Sequence, residues 1–211
     1  MVDAIHKTEI EVKIKLDTFT DYLKLVGFLG QIESEEHQIN GFFDSEDRRI
    51  GKGGWALRVR AENHRGLVTV KSIPTKAGLA VIRQEIEAEI GRGDALAVLA
   101  LQADVLALDV MPITFIRKEF PGVHLARLIQ FENTRQKKLF RIGDYNYLLE
   151  IDKTEYSDAS VDYELEIELT DASRVDIVEG QLRKLFSTLG IPFEKQSESK
   201  FARALHKARI Y

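Results

Sequence analysis

The chain has 211 residues, with 30 Lys+Arg against 34 Asp+Glu, a formal net charge of -4, and no cysteine. At 44% hydrophobic and 30% charged residues its composition is globular rather than disordered, and one core can be buried, so a single domain over residues 1–211 is expected. The missing cysteine excludes a disulfide scaffold, a Cys-ligated zinc or iron–sulfur site and a thiol nucleophile, and the near-neutral balance gives no basic field to attract duplex nucleic acid.

The first residues, Met1 to Lys7, lack the apolar stretch of a signal peptide. A strand is predicted over 8–16, then a helix over 18–29 with Tyr22, Leu23, Val26 and Leu29 on one stripe before Gly30. Strands follow over 38–43, 55–62, 66–72 and 81–90, each alternating with period two. A helix is expected over 94–108, opened by a capping Asp and dense in Ala and Leu. Its surroundings are the most apolar part of the chain, but Gln102, Asp104 and Asp109 interrupt them short of the about 20 residues that a membrane span needs. A cytoplasmic protein with no membrane partner is the expectation.

Strands over 123–133, 135–142, 145–152 and 162–169 come next, with a turn at Gly143-Asp144. A helix over 171–189 carries Val175, Val178, Leu182, Leu185 and Leu189 on one face and stops at Gly190; a last helix covers 197–207.

The alternation separates charge from apolar surface strand by strand. Ile10, Val12, Ile14 and Leu16 oppose Glu9, Glu11, Lys13 and Lys15. Leu165, Ile167 and Leu169 oppose Glu164, Glu166 and Glu168. Arg58 and Arg60 share a face, as do Arg83, Glu85 and Glu87, and Glu150 and Asp152. A half-buried sheet with one wet face would account for any single strand. Single-sign clusters recurring on several strands repel unless opposite charges lie among them. A closed ring does this: α+β, a closed eight-stranded antiparallel β-barrel or tunnel, with helices packed on its apolar outside and charge lining the inside. A polyphosphate with a bound divalent cation suits such an interior, because Arg and Lys take phosphate oxygens and carboxylates take a hard cation.

The order of the charged motifs resembles the CYTH superfamily, the triphosphate tunnel metalloenzymes. Glu9-Ile10-Glu11-Val12-Lys13 is similar to its ExExK strand, and Phe42-Phe43-Asp44 followed by Asp47 to its YFD segment. Leu57-Arg58-Val59-Arg60, Thr69-Val70-Lys71 and Arg83-Gln84-Glu85-Ile86-Glu87 resemble its LRxR, Lys-ending and RxExE strands. Arg135, Leu149 to Asp152, Tyr163 to Leu169, and Ser199-Lys200-Phe201 resemble its isolated Arg, its Asp strand, its late ExE strand and its final helix.

The resemblance implies a tunnel open at both ends that holds Mg²⁺ or Mn²⁺ and a small-molecule triphosphate. It implies that Lys13, Arg58, Arg60, Lys71, Arg83, Arg135 and Lys200 grip phosphates. Glu9, Glu11, Asp152, Glu166 and Glu168 are the metal candidates, with Glu166 and Glu168 as principal ligands. Glu9, Glu11, Lys13, Glu85, Glu87 and Lys200 are the catalytic candidates, Glu85 and Glu87 ordering a lytic water. Glu164 is expected at the rim. Hydrolysis of inorganic tripolyphosphate to pyrophosphate and phosphate is the leading expectation. Class IV adenylyl cyclase chemistry, an organic triphosphatase acting on nucleoside or thiamine triphosphate, and a non-catalytic polyphosphate-binding module are the alternatives. The chain is expected to be a monomer or a homodimer. The five histidines show no metal spacing; Arg48, Arg49, Lys137 and Lys138 are read as solvated, and Trp55 as packing outside.

Overall fold

The computed structural model describes residues 5–209; the N-terminal start read for a targeting signal and the side chain of His6 lie outside the described part. The elements run β1 (Ile5–Leu16), α1 (Phe19–Leu29), β2 (Ser34–Asp44), α2 (Arg49–Lys52), β3 (Trp55–Ala61), β4 (Gly66–Ser72), β5 (Thr75–Ala77) and β6 (Ala80–Ile90). They continue with α3 (Arg92–Leu99), α4 (Met111–Glu119), β7 (Ala126–Ile142), β8 (Tyr145–Glu155), β9 (Val161–Leu169), α5 (Val175–Leu189), β10 (Glu194–Lys195) and α6 (Lys200–Lys207). Eight strands pair antiparallel in the order β1-β9-β8-β7-β2-β3-β4-β6, and β6 pairs back onto β1, closing the ring. The short β5 and β10 pair onto β6 and β1.

Strand parity sets the layers. On β1, Val12 and Ile14 are fully buried on the outer face, packed with Leu149, Ile151, Leu165 and Ile167 against Tyr22 and Leu25 of α1 and Val178, Leu182 and Phe186 of α5. On the far side, Leu57, Val59, Val68 and Val70 meet Ala95 and Val98 of α3 and Ile113 and Ile116 of α4. Each such buried aliphatic side chain contributes about 1.5–3 kcal/mol, so the two apolar layers outside the ring offset the cost of lining its inside with charge. α3 lies close: a Cβ on Gly66 would sit 2.5 Å from the Ala95 Cβ, so that position needs glycine.

A third apolar cluster joins Phe42 of β2, Phe131 of β7 and Phe201 of α6 with Tyr156. Phe201 of α6 stacks on Phe42 with centroids 4.2 Å apart.

Three local expectations change. The helix expected over 94–108 stops at Leu99, because Leu101 takes a left-handed conformation (φ 60°) and Asp104 accepts from the Leu106 N–H to start a separate 3₁₀ turn. α4, which opens with Pro112 in its first turn, was not anticipated. The strands expected over 123–133 and 135–142 are one 17-residue strand, β7. Asn133 lies mid-strand, its amide occupied inside the ring by Gln38 and Asp152. The Asp44 of the Phe-Phe-Asp segment serves the fold: its carboxylate accepts from the backbone N–H groups of Ser45, Ile50 and Gly51 at 2.8, 2.9 and 3.0 Å and fixes α2.

Candidate active site

The inner face of the ring carries two charged walls. On β8 and β9, Asp152, Glu164 and Glu166 are 0, 1 and 3% exposed, and one oxygen from each lies within 4.8 Å of the others. Cations hold this cluster together. Lys200, the first residue of α6, places Nζ 2.7 Å from Asp152 and 2.8 Å from Glu166, and pairs with Glu164. Arg135 donates to both oxygens of Asp152, at 2.8 and 2.6 Å, and pairs with Glu166 and Glu150. Lys13 pairs with Glu166 and lies 3.0 Å from Glu11.

The electrostatics follow from these contacts. Burial disfavours the ionised Asp152, but Arg135 and Lys200 outweigh it and hold the carboxyl at about 2. Burial opposes Glu166 as well, and Lys13, Lys200 and Arg135 keep it well below the usual range. Glu11 goes the other way: burial and the Glu166 charge push it up to about 7.

α6 is fixed so that Lys200 reaches this cluster. The Ser199 hydroxyl caps the helix at the Ala202 N–H. Arg203 donates to Asp162 at 2.8 Å, to Glu164 at 2.9 Å and to the Glu198 carbonyl at 2.7 Å.

The second wall lies on β3, β4 and β6; in the ring order β3 is four strands from β9, directly across. It carries Arg58, Arg60, Lys71 and Arg83. Arg58 donates to Thr69 at 3.0 Å and lies 3.5 Å from Glu87. Arg60 donates to Asn40 at 2.7 Å and to Glu62 at 3.3 Å. Lys71 sits 2.9 Å from Glu9 and 2.6 Å from Glu85. Arg83 pairs with Glu9 and lies 3.3 Å from Glu11. Burial, reinforced by the neighbouring Arg60 charge, lowers Arg58 to about 10.

The structure therefore brings Glu9, Glu11, Lys13, Arg58, Arg60, Lys71, Arg83, Glu85, Glu87, Arg135, Asp152, Glu166 and Lys200 to one interior through the contacts above. Glu168 stands apart, its side chain 53% exposed and paired at 2.8 Å with Lys7. Glu164 is not at the rim but in the buried cluster. Lys137 is not solvated: it faces inward, 2.7 Å from Glu36 and 3.7 Å from Glu150. Trp55 packs outside on Phe115.

Sequence reasoning missed Asn40, Glu62 and Arg203. Parity with Arg58 and Arg60 would have signalled Glu62 as inward; Asn40 lies on another strand and faces Arg60 only through the β2–β3 register, and Arg203 sits on a helix whose docking the sequence does not specify.

The CYTH domain model matches residues 7–204. The chain therefore belongs to the CYTH domain family. Among solved structures, the Hippeastrum protein HpAC1, a candidate adenylyl cyclase with a dominant triphosphatase activity, is 27% identical over 94% of this chain and 95% of its own, with a TM-score of 0.83. A candidate adenylate cyclase from Bacillus halodurans is 21% identical (TM-score 0.70, 94% and 97% covered), and a protein from Pyrococcus horikoshii 20% identical (0.59, 93% and 99%), both sharing the fold. No curated protein matches the sequence. No helix among the described residues is long and apolar enough to cross a membrane.

Proposed function

We propose that this chain is a divalent-metal-dependent triphosphatase that hydrolyses inorganic tripolyphosphate to pyrophosphate and phosphate. The observation that carries the reading is a two-signed interior: the Asp152–Glu164–Glu166 cluster on β8 and β9, with Arg58 and Arg60 on β3 across the ring and Lys71 and Arg83 on β4 and β6, between β3 and β1. HpAC1, with its dominant triphosphatase activity, supports it.

The donor set suits Mg²⁺ or Mn²⁺. Three buried carboxylates offer hard oxygens within 4.8 Å of one another, and an ammonium, Lys200, already sits among them. Asp152, Glu164 and Glu166 would hold the metal, with Glu9 and Glu11 contributing directly or through water; Glu168, exposed and paired with Lys7, is not among the ligands. A bound divalent cation supplies charge neutralisation at the phosphate oxygens.

The chain's own residues do the rest. Lys13, Arg135 and Lys200 from one side, and Arg58, Arg60, Lys71 and Arg83 from the other, donate to phosphate oxygens. They are held before the substrate enters, so they stabilise transition-state charge with little reorganisation. Glu85 and Glu87 orient a water whose oxygen bonds to the terminal phosphorus in line as the bridging P–O bond breaks; the water's proton passes to a wall carboxylate and pyrophosphate leaves.

The cyclase reading uses the same walls, and HpAC1 is also a candidate adenylyl cyclase. The test supplies tripolyphosphate, ATP and thiamine triphosphate with Mg²⁺ and separately with Mn²⁺, and measures phosphate, pyrophosphate and cyclic AMP. Phosphate released fastest from tripolyphosphate supports the proposal. Cyclic AMP from ATP replaces it with the cyclase, and binding without turnover replaces it with a binding module.

A further inference from the structure

The β2–β3 pairing sets Asn40 opposite Arg60 on the inner face of the ring. Asn40 is 1% exposed, and its Oδ1 accepts from the Arg60 Nε at 2.7 Å. A guanidinium only donates, so the amide oxygen must face Arg60, and Nδ2 is then the other end of the group. That Nδ2 is buried and has no hydrogen-bond partner among the described residues. Its neighbour across the β2–β7 pairing is Phe131, which offers no acceptor.

One register step away, opposite Phe42, stands Arg58, whose Nε is also buried without a partner. Buried donors are nearly always paired in folded proteins, so two adjacent unpaired ones call for an acceptor that arrives from outside the chain. The two arginines beside them share a strand face, and among the described residues Arg58 lies 3.5 Å from Glu87 and Arg60 3.3 Å from Glu62.

We propose that Asn40, Arg58 and Arg60 form one phosphoryl subsite, in which the Asn40 Nδ2 donates to a phosphate oxygen of the triphosphate. The inference rests on the triphosphatase reading and adds to it a neutral binding residue that lies outside the charged motifs. A neutral donor suits the position: it adds a hydrogen bond without adding a third positive charge to two arginines that already repel.

Asn40→Asp keeps an acceptor for the Arg60 Nε, removes the donor and adds a negative charge, so it is read together with Asn40→Ala, which removes the donor without adding charge. Both are compared with the wild-type chain by calorimetric titration with inorganic tripolyphosphate in EDTA, by initial rates with Mg²⁺, and by melting temperature. The expected result is a loss of affinity and a rise in KM of roughly tenfold to a hundredfold in Asn40→Ala, the range for a hydrogen bond to a charged group, a loss at least as large in Asn40→Asp, and kcat affected less in both. Unchanged affinity and KM in Asn40→Ala overturn the inference and leave the triphosphatase reading standing. If Asn40→Ala does not fold, unchanged affinity in Asn40→Asp overturns it equally. A wild-type chain that neither binds nor hydrolyses tripolyphosphate overturns the reading and the subsite together.

Discussion

Replacing Lys200 by methionine removes the ammonium from the acidic cluster while keeping a side chain of similar length. Lys200 is 12% exposed, and its three partners are between 0 and 4% exposed, so the lost interactions are those of a buried cation. Breaking a buried ion pair by removing one partner costs about 3–5 kcal/mol. Arg135 and Lys13 still face Asp152 and Glu166, but Glu164 keeps only Arg203. For a chain of this size each kcal/mol moves the melting temperature by roughly 2–4 °C, so Lys200→Met should melt about 6–20 °C below wild type in EDTA. Mg²⁺ should recover much of that loss. It should also raise the melting temperature of the variant more than that of wild type, since it no longer competes with an ammonium for the same oxygens. Differential scanning calorimetry with and without Mg²⁺ reads both quantities. Equal melting temperatures in EDTA, or the same Mg²⁺ shift in both chains, would refute the account of Lys200 as the resident cation of the cluster.

Lys13→Met should lower turnover of tripolyphosphate on the order of 10²–10³-fold, as for other preorganised electrostatic groups; steady-state rates on a variant with native circular dichroism check this. Asp44→Ala removes an acceptor for three backbone N–H groups and should destabilise the chain by about 1–3 kcal/mol, read by urea unfolding. Glu62 gives a pH test. Burial opposes its ionised form, but Arg60 and Arg65 overcome that and lower its pKa. A carboxylate lowered in the folded state contributes stability above its unfolded pKa and loses it as pH falls through the folded value. The melting-temperature gap between wild type and Glu62→Gln should therefore be full at pH 7 and should close below about pH 4, under the unfolded value; a gap that stays constant with pH contradicts this.

The ring was legible because its strands alternate almost without interruption. On β1, Val12 and Ile14 under the helices and Glu11 and Lys13 inside differ only in parity, and one residue of slip would exchange them. The motif order placed most of the interior charge for the same reason. The rest depended on three-dimensional facts. Glu164 and Glu168 have the same parity on the same strand, yet one is buried by Arg203 and Lys200 while the other pairs with Lys7 in the open. What separates them is the docking of α6, through Phe201 on Phe42 and through Arg203, and no periodicity encodes that. The break expected between residues 133 and 135 is absent: Asn133 lies mid-strand, its amide bridging Gln38 and Asp152 inside the ring. Lys137, expected in solvent, is instead carried inward by the unbroken β7 to Glu36 and Glu150.

Glu166 is touched by all three cations of the acidic cluster, Lys13, Arg135 and Lys200. The most direct test of the account is the rate of phosphate release from tripolyphosphate by wild type and Glu166→Gln, each with Mg²⁺ and with EDTA. The account predicts release by wild type with Mg²⁺ alone, abolished by EDTA, and a fall of at least about 10²-fold in the folded variant. Release that persists in EDTA, or a folded Glu166→Gln that turns over like wild type, would contradict it.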